Sequence, residues 1–144
     1  MPTKPDKAWI AAHIPHQGAM CLLERVEAWS EAGLRCTASS HRALDNPLSA
    51  EGRLGAACGI EYAAQAMAVH GALVAQSSGR PQQGYLASVR GAELQVERLD
   101  DIGADLDIQV ERLSGDDNNV LYQFSVSAAG RELLSGRGAV ILDA

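Results

Sequence analysis

Apolar residues follow different patterns along the chain, and these patterns distinguish strands from a helix. In the C-terminal half, Leu106, Ile108 and Val110 alternate with polar residues, and Tyr122 and Phe124 belong to a second alternating run. Alternation of this kind predicts strands that bury one face. Together with the turns between such runs, the pattern predicts strands at residues 21–29, 34–39, 84–99, 104–111, 120–126 and 132–142.

Residues 54–76 form the longest charge-poor run and carry one formal charge, Glu61. The sequence of this run, LGAACGIEYAAQAMAVHGALVAQ, predicts a helix that is buried on nearly all sides. A carboxylate inside such a helix is costly unless it is paired, hydrogen-bonded or protonated, so Glu61 is the first candidate functional residue.

A shorter helix is predicted at residues 9–14. Residues 41–52 form a predicted loop whose length is typical of functional loops.

The order of these elements indicates the fold class. Two strands, one buried helix and then several antiparallel strands predict an α+β domain. A curved antiparallel sheet wrapped around one long buried helix is the hot-dog fold. We expect a single hot-dog domain over residues 1–144, with residues 1–8 as a flexible end. Such sheets pair edge to edge, so a homodimer is expected.

Composition and charge narrow the range of functions. Hydrophobic residues make up 47% of the chain and charged residues 21%, as in a folded domain. The formal net charge of -6 disfavours a nucleic-acid partner, and Glu61, Gln65 and His70 disfavour a membrane span at residues 54–76. Three cysteines and the lack of an export signal favour a cytoplasmic protein with reduced thiols. No motif predicts a metal site or a nucleotide cofactor.

Several short segments, taken in order, carry a resemblance to a known family. They are IPH at residues 14–16 with LLERV at 22–26, GIEYAAQA at 59–66, YLASV at 85–89 and IGADL at 102–106. They resemble the PHR-x-P-x-LLVDRV, IEALAQA, YLASV and PGD-x-L motifs of the 3-hydroxyacyl-[acyl carrier protein] dehydratases. The helix is most similar to the GIEYMAQA-like helix of a divergent branch, the dehydratase-like proteins of aryl polyene pathways.

The resemblance implies a dimeric enzyme that acts on acyl thioesters. The acyl group would be carried on the phosphopantetheine of acyl carrier protein or CoA, with no other cofactor. The implied reaction dehydrates a 3-hydroxyacyl thioester to the trans-2-enoyl thioester in fatty acid or polyene biosynthesis. In the family, a histidine removes the α-proton and an acid on the helix helps the hydroxyl group leave. A backbone N–H at the start of the helix binds the thioester oxygen.

The family's acid carries over to Glu61, but its histidine has no clear counterpart. In this sequence, Asn46 stands close to the position where the family's loop carries the histidine. An amide is not a base at neutral pH, although it could orient a water molecule or the thioester oxygen. His41 lies in the same loop and could replace the missing base. The candidate catalytic residues are therefore Glu61, Asn46 and His41.

Further positions are expected to bind the substrate. Gln65 lies one turn after Glu61 on the same helix face, where it could orient the carboxyl group. The first residues of the helix offer N–H groups and the positive end of the helix dipole to an oxyanion. The remaining candidates lie at the helix start, one turn before Glu61 and in the loop after Pro15, and they are Gly55, Ala56, Cys58 and His16.

Two alternatives to a self-sufficient dehydratase remain open. A carboxylate with an Asn or Gln that directs water is the pattern of hot-dog thioesterases, which would hydrolyse acyl-CoA or acyl carrier protein thioesters. Alternatively, the chain is a non-catalytic partner subunit in a mixed dimer, and a second dehydratase-like chain completes the active site. The substitution at Asn46 motivates both alternatives.

Overall fold

The computed structural model describes residues 5–14, 18–78, 84–116 and 119–142. Its two α-helices are α1 (Lys7–His13) and α2 (Gly59–Ser78). Its strands are β1 (Arg25–Ser30), β2 (Gly33–Ala38), β3 (Gly84–Leu94), β4 (Leu106–Gly115), β5 (Asn119–Ala128) and β6 (Arg131–Leu142). Single turns of 3-10 helix lie at Gly18–Met20, Ser40–Arg42 and Ala56–Cys58.

The strands of the described residues form one antiparallel sheet in the order β1-β2-β4-β5-β6-β3. Strands β1 and β3 are the edges. Helix α2 packs against β2, β3, β4, β5 and β6, so the sheet covers the helix from several sides. The predicted α+β class and the arrangement of an antiparallel sheet around one long helix are confirmed.

The alternating pattern located the inner face of the sheet correctly. Val120, Tyr122, Phe124 and Val126 are buried in β5, and the residues between them are more exposed. Two predicted strands are longer than the observed ones. Residues 21–24 precede β1, and residues 95–99 leave the sheet after β3.

Helix α2 is less completely enclosed than its composition predicts. Its apolar residues Tyr62, Ala66, Val69 and Leu73 are fully buried in the core. A stripe of half-exposed residues nevertheless runs along the helix, and its members are Glu61, Ala64, Ala68 and Ala72. The prediction of burial on nearly all sides is therefore wrong for this stripe in the single chain, because the sheet wraps only part of the helix circumference.

The N-terminal helix begins two residues earlier than predicted. Asp6 caps α1, and its side chain accepts a hydrogen bond from the backbone N–H of Trp9 at 3.0 Å. Lys7 donates hydrogen bonds to the carbonyl groups of Cys21 and Leu23 at 3.0 and 3.2 Å. Of the expected flexible end, Lys7 and Ala8 lie in α1, whereas residues 1–4 lie outside the described part of the chain. Within the described residues, none of the helices is both long and apolar enough to cross a bilayer.

Candidate active site

The segment that leads into α2 is fixed to the segment that follows β3. The N–H of Ala56 donates to the carbonyl of Glu97 at 3.0 Å, and the N–H of Leu99 donates to the carbonyl of Leu54 at 2.7 Å. The carboxylate of Asp100 accepts from the N–H of Leu54 at 3.0 Å and pairs with Arg98. The Arg98 guanidinium is the main cause that holds the pKa of Asp100 well below its usual range. These contacts position the start of the helix.

This arrangement corrects one predicted substrate contact. The N–H of Ala56 is already bonded to Glu97, so Ala56 is not an available donor for a thioester oxygen. Gly55 pairs with Arg98 in an isolated antiparallel β-bridge, and in this pair the N–H of Gly55 points away from Arg98. The N–H of Ala57 lies in the 3-10 turn that leads into α2, where backbone donors lack an intrahelical partner. Gly55 and Ala57 are both exposed and are the remaining positions for an oxyanion here.

Glu61 lies in the first turn of α2, in the half-exposed stripe and one turn after Ala57. Residues four apart on a helix share a face, so the carboxyl group and the Ala57 backbone border the same surface. Cys58 is half-buried one turn before Glu61, and its thiol lies 3.9 Å from the carbonyl of Leu48. An acid and a backbone donor thus border one accessible strip of the helix.

Gln65 is fully buried and is bonded to the segment before β1. Its carbonyl accepts from the N–H of Leu22 at 2.9 Å, and its amide donates to the carbonyl of Met20 at 2.6 Å. Among the described residues, no hydrogen bond joins Gln65 to Glu61. The predicted role of Gln65 in orienting the Glu61 carboxyl group is therefore not what the contacts show. Gln65 instead attaches α2 to residues 20–22.

Asn46 is buried in a hydrogen-bond network between its loop and α2. Its amide nitrogen donates to the carbonyl of Ser40 at 2.8 Å and to the hydroxyl of Tyr62 at 3.1 Å. Its carbonyl oxygen accepts from the N–H of Leu48 at 2.9 Å. The amide is therefore occupied in holding the loop, which leaves it poorly placed to direct a water molecule.

Sequence reasoning missed Ser40 and Tyr62 as partners in this network. The Ser40 hydroxyl donates to the carbonyl of Leu22 at 2.7 Å and lies 2.8 Å from the hydroxyl of Tyr62. Because Ser40 uses its proton on Leu22, the Tyr62 hydroxyl donates to Ser40 and accepts from Asn46. Burial raises the pKa of the Tyr62 hydroxyl, so it stays protonated. The sequence did contain a signal for this network, because a tyrosine inside a helix of small residues must find a polar partner when it is buried.

His41 is buried beneath the loop that follows residue 101. Its Nε2 lies 3.1 Å from the carbonyl of Ile102 and 3.0 Å from that of Ala104, so Nε2 carries the proton. Its Nδ1 is buried without a hydrogen-bond partner among the described residues. Burial lowers the pKa of His41 and favours the neutral ring. In this position His41 fixes two loops together, and its unprotonated nitrogen is shielded from solvent.

His70 is also held in place, on the opposite side of α2 from Glu61. Its Nε2 donates to the carbonyl of Ser30 at 2.8 Å, so its Nδ1 accepts from the hydroxyl of Tyr122 at 2.7 Å. Burial lowers its pKa. His16, the remaining candidate substrate-binding residue, lies outside the described residues.

Comparisons with known proteins bear on the fold and the family of the chain. The structure superposes on the dehydratase heterocomplex ApeI:P from Xenorhabdus doucetiae with a TM-score of 0.84 and 26% sequence identity, covering 94% of this chain and 91% of that chain. It also resembles a mutant of the thioesterase PA1618 from Pseudomonas aeruginosa. That TM-score is 0.68 at 14% identity, over 96% of this chain and 94% of that chain. A similarity at this level of identity shows the fold alone.

A third solved structure is a hypothetical thioesterase from Streptococcus pneumoniae with coenzyme A. It matches with a TM-score of 0.57 and 15% identity, over 82% of this chain and 84% of that chain. Among curated proteins, none matches the sequence significantly.

The structural matches identify the fold as the hot-dog fold of the dehydratases and thioesterases. The family described as ApeP-like dehydratase matches residues 8–142, and the chain belongs to this family of dehydratases.

Proposed function

We propose that this chain takes part in the dehydration of a 3-hydroxyacyl thioester, with Glu61 as the acid. The observation that carries the proposal is the position of Glu61, the only acidic residue in α2, on the accessible stripe one turn from Ala57. A base removes the α-proton, and the N–H of Ala57 or Gly55 stabilises the charge that develops on the thioester oxygen. Glu61 gives its proton to the 3-hydroxyl group, which leaves as water.

The base in this proposal comes from a second chain. His41 and His70 both commit their Nε2–H groups to backbone carbonyls, and their Nδ1 atoms are buried. Neither ring can approach an α-carbon beside Glu61 without breaking these bonds. The edge strand β3 offers unpaired backbone groups to another sheet, so a second hot-dog chain can join there and supply the histidine.

The partner in this proposal is a dehydratase-like chain that differs from this one. The similar protein from Xenorhabdus doucetiae is described as a dehydratase heterocomplex, which supports a mixed dimer over the homodimer expected from sequence. Residues 94–99 lie between the β3 edge and the start of α2, so a chain that joined at β3 would lie close to the candidate site. The acyl group is carried on acyl carrier protein or CoA, in the cytoplasm.

The test is formation of the 2-enoyl thioester from 3-hydroxyacyl carrier protein and from 3-hydroxyacyl-CoA. We expect little turnover by this chain alone and turnover when the second dehydratase-like chain is co-expressed. Glu61→Gln in the complex should lower the rate by about 100-fold or more, as for loss of a general acid. The control Glu132→Gln changes an exposed carboxylate on β6 and should leave the rate unchanged.

Several outcomes would redirect the proposal. Full turnover by this chain alone, abolished by His16→Gln, would place the base in this chain and make the second chain unnecessary. Release of free thiol from acyl-CoA without enoyl product would favour the thioesterase alternative. Enoyl formation that is unchanged in Glu61→Gln would refute the assigned role of Glu61 and favour the non-catalytic subunit alternative.

A further inference from the structure

Two arginines lie directly opposite each other on the outer face of the sheet. Arg90 of β3 and Arg137 of β6 are paired in the antiparallel register, and both are exposed. The next residue on β6, Gly138, faces the side chain of Met67 on α2, so Arg137 points to the other side of the sheet. Like charges directly opposite each other destabilise an antiparallel pair. The arrangement is therefore unfavourable unless an anion balances it.

No acidic residue of the described chain balances this pair. Four other described arginines do have such partners, in the ion pairs Arg25–Glu27, Arg35–Asp107, Arg42–Asp105 and Arg98–Asp100. Neither Arg90 nor Arg137 forms an ion pair with another described residue. The next acid along β3 is Glu93, which lies beyond an irregularity in the strand at Gly91. The positive charge thus remains open to a ligand.

The two arginines border a depression, which we call the outer hollow. It has a volume of about 280 Å³ and is lined by Ser88, Arg90, Leu121, Arg137 and Ala139. Ser88 and Ala139 are opposite each other in the register, and their small side chains leave the space. Leu121, next to Ala139 on β5, supplies the apolar part of the lining. The volume is just below that of common ligand pockets, which suits one compact group.

We propose that the outer hollow binds a phosphate group between Arg90 and Arg137, with the Ser88 hydroxyl as an additional donor. Guanidinium groups present planar pairs of N–H donors that match phosphate oxygens, and two of them suit a group with two negative charges. The chain carries a formal net charge of -6, so the outer hollow is a local positive site on an acidic protein. Because it lies on the face of the sheet opposite α2, this site is separate from the one around Glu61.

The same phosphate chemistry has two sources, inorganic phosphate and a phosphomonoester on a nucleotide. The probes are sodium phosphate, CoA and dephospho-CoA, which lacks the 3′-phosphate. Binding is followed by NMR of the arginine Nε–H signals, with sodium chloride titrated at the same ionic strength. Single-arginine variants assign the signals of Arg90 and Arg137. We expect a saturable shift of both signals that chloride does not reproduce.

Matched variants separate a specific site from general attraction. Arg90→Gln and Arg137→Gln should each weaken binding by about tenfold, the value of one charge-assisted hydrogen bond. Arg131→Gln removes the same charge from an exposed position near the start of β6 and should leave the affinity unchanged. Arg137→Lys keeps the charge but loses the planar fork, so it should also weaken binding. Circular dichroism melting confirms that each variant folds.

The outcomes test the proposal and identify the source of the phosphate group. A shift by CoA that is lost with dephospho-CoA supports a nucleotide phosphomonoester, and a shift by phosphate alone supports the inorganic ion. If no probe shifts both signals saturably, or if Arg131→Gln weakens binding as much as Arg137→Gln, the proposal is overturned. The measurement does not involve turnover, so it stands or fails independently of the role of Glu61.

Discussion

The side-chain amide of Asn46 lies 3.1 Å from the hydroxyl oxygen of Tyr62, and this bond ties the loop before α2 to the helix itself. Tyr62→Phe should lower the free energy of unfolding by about 1–3 kcal/mol, because it leaves buried polar partners incompletely bonded. Asn46→Ala should lower it as well. In a double-mutant cycle measured by urea unfolding, the two changes should couple by about 0.5–3 kcal/mol.

The matched control for this cycle is Tyr122→Phe. It removes the same hydroxyl group from a tyrosine that is bonded to His70 on another side of α2. Because Tyr122 shares no partner with Asn46, the effects of Tyr122→Phe and Asn46→Ala should add. Equal coupling of Asn46 to both tyrosines would show that the loop is not held through Tyr62.

The stability of the fold should fall when the solution is acidified below a pH of about 6.5. Burial lowers the pKa values of His41 and His70 from an ordinary value of 6.5, so the unfolded chain binds these protons first. Unfolding then takes up protons, and each histidine contributes a slope of at most about 1.36 kcal/mol per pH unit. The stability they contribute is fully present above that pH and decreases as pH falls.

Urea unfolding between pH 8 and 5.5 measures this slope. His70→Gln removes one titrating ring and should therefore reduce the dependence of stability on pH. It should also lower the stability itself, because Ser30 and Tyr122 lose their common partner. His13→Gln changes an exposed histidine of α1 that stacks on Trp9, and it serves as the matched control because it leaves the contacts of His70 with Ser30 and Tyr122 in place. A wild-type slope that persists in full in His70→Gln would contradict this explanation for His70.

The position of α2 against β6 depends on Gly59, two residues before Glu61. A Cβ atom at Gly59 would lie 2.5 Å from the side chain of buried Leu134, so Gly59→Ala must displace the helix or that leucine. We expect a loss of stability of about 1–3 kcal/mol from overpacking. We also expect a lower rate of enoyl formation in the complex, because the displacement moves the neighbouring Glu61.

Gly71→Ala provides the control on the same helix. A Cβ atom at Gly71 would meet nothing within 4 Å, so the only local change is a higher helix propensity. The stability of the single chain should be unchanged or higher by up to about 1 kcal/mol. If Gly59→Ala is tolerated as well as Gly71→Ala, the close packing of α2 on Leu134 does not constrain the site.

The glutamine and asparagine candidates show where sequence reasoning reached its limit. Helical spacing placed Gln65 on the face of Glu61, but its amide is bonded to Met20 and Leu22. Those residues are more than forty positions away in the chain. Asn46 was singled out because it occupies a position near the family's histidine, and its contacts belong to a buried network. A hydrogen bond between distant segments depends on packing, which local periodicity does not encode.

The sequence by itself determined the elements and the class of the protein. Alternation with a period of two identified the buried faces of the strands, and the charge-poor run identified α2 and its single acid, Glu61. These features are local, because each follows from which side chains can be buried along one strand or helix. The family assignment also followed from short motifs.

Only the tertiary structure decided which polar groups remain available. In the folded chain the Ala56 N–H donates to the carbonyl of Glu97, and His41 and Asn46 form hydrogen bonds that hold loops in place. One stripe of α2 stays accessible around Glu61. It also brought Arg90 and Arg137 side by side from strands that are far apart in sequence. The physical reason is that buried donors and acceptors must find partners, and strand register determines which partners lie within reach.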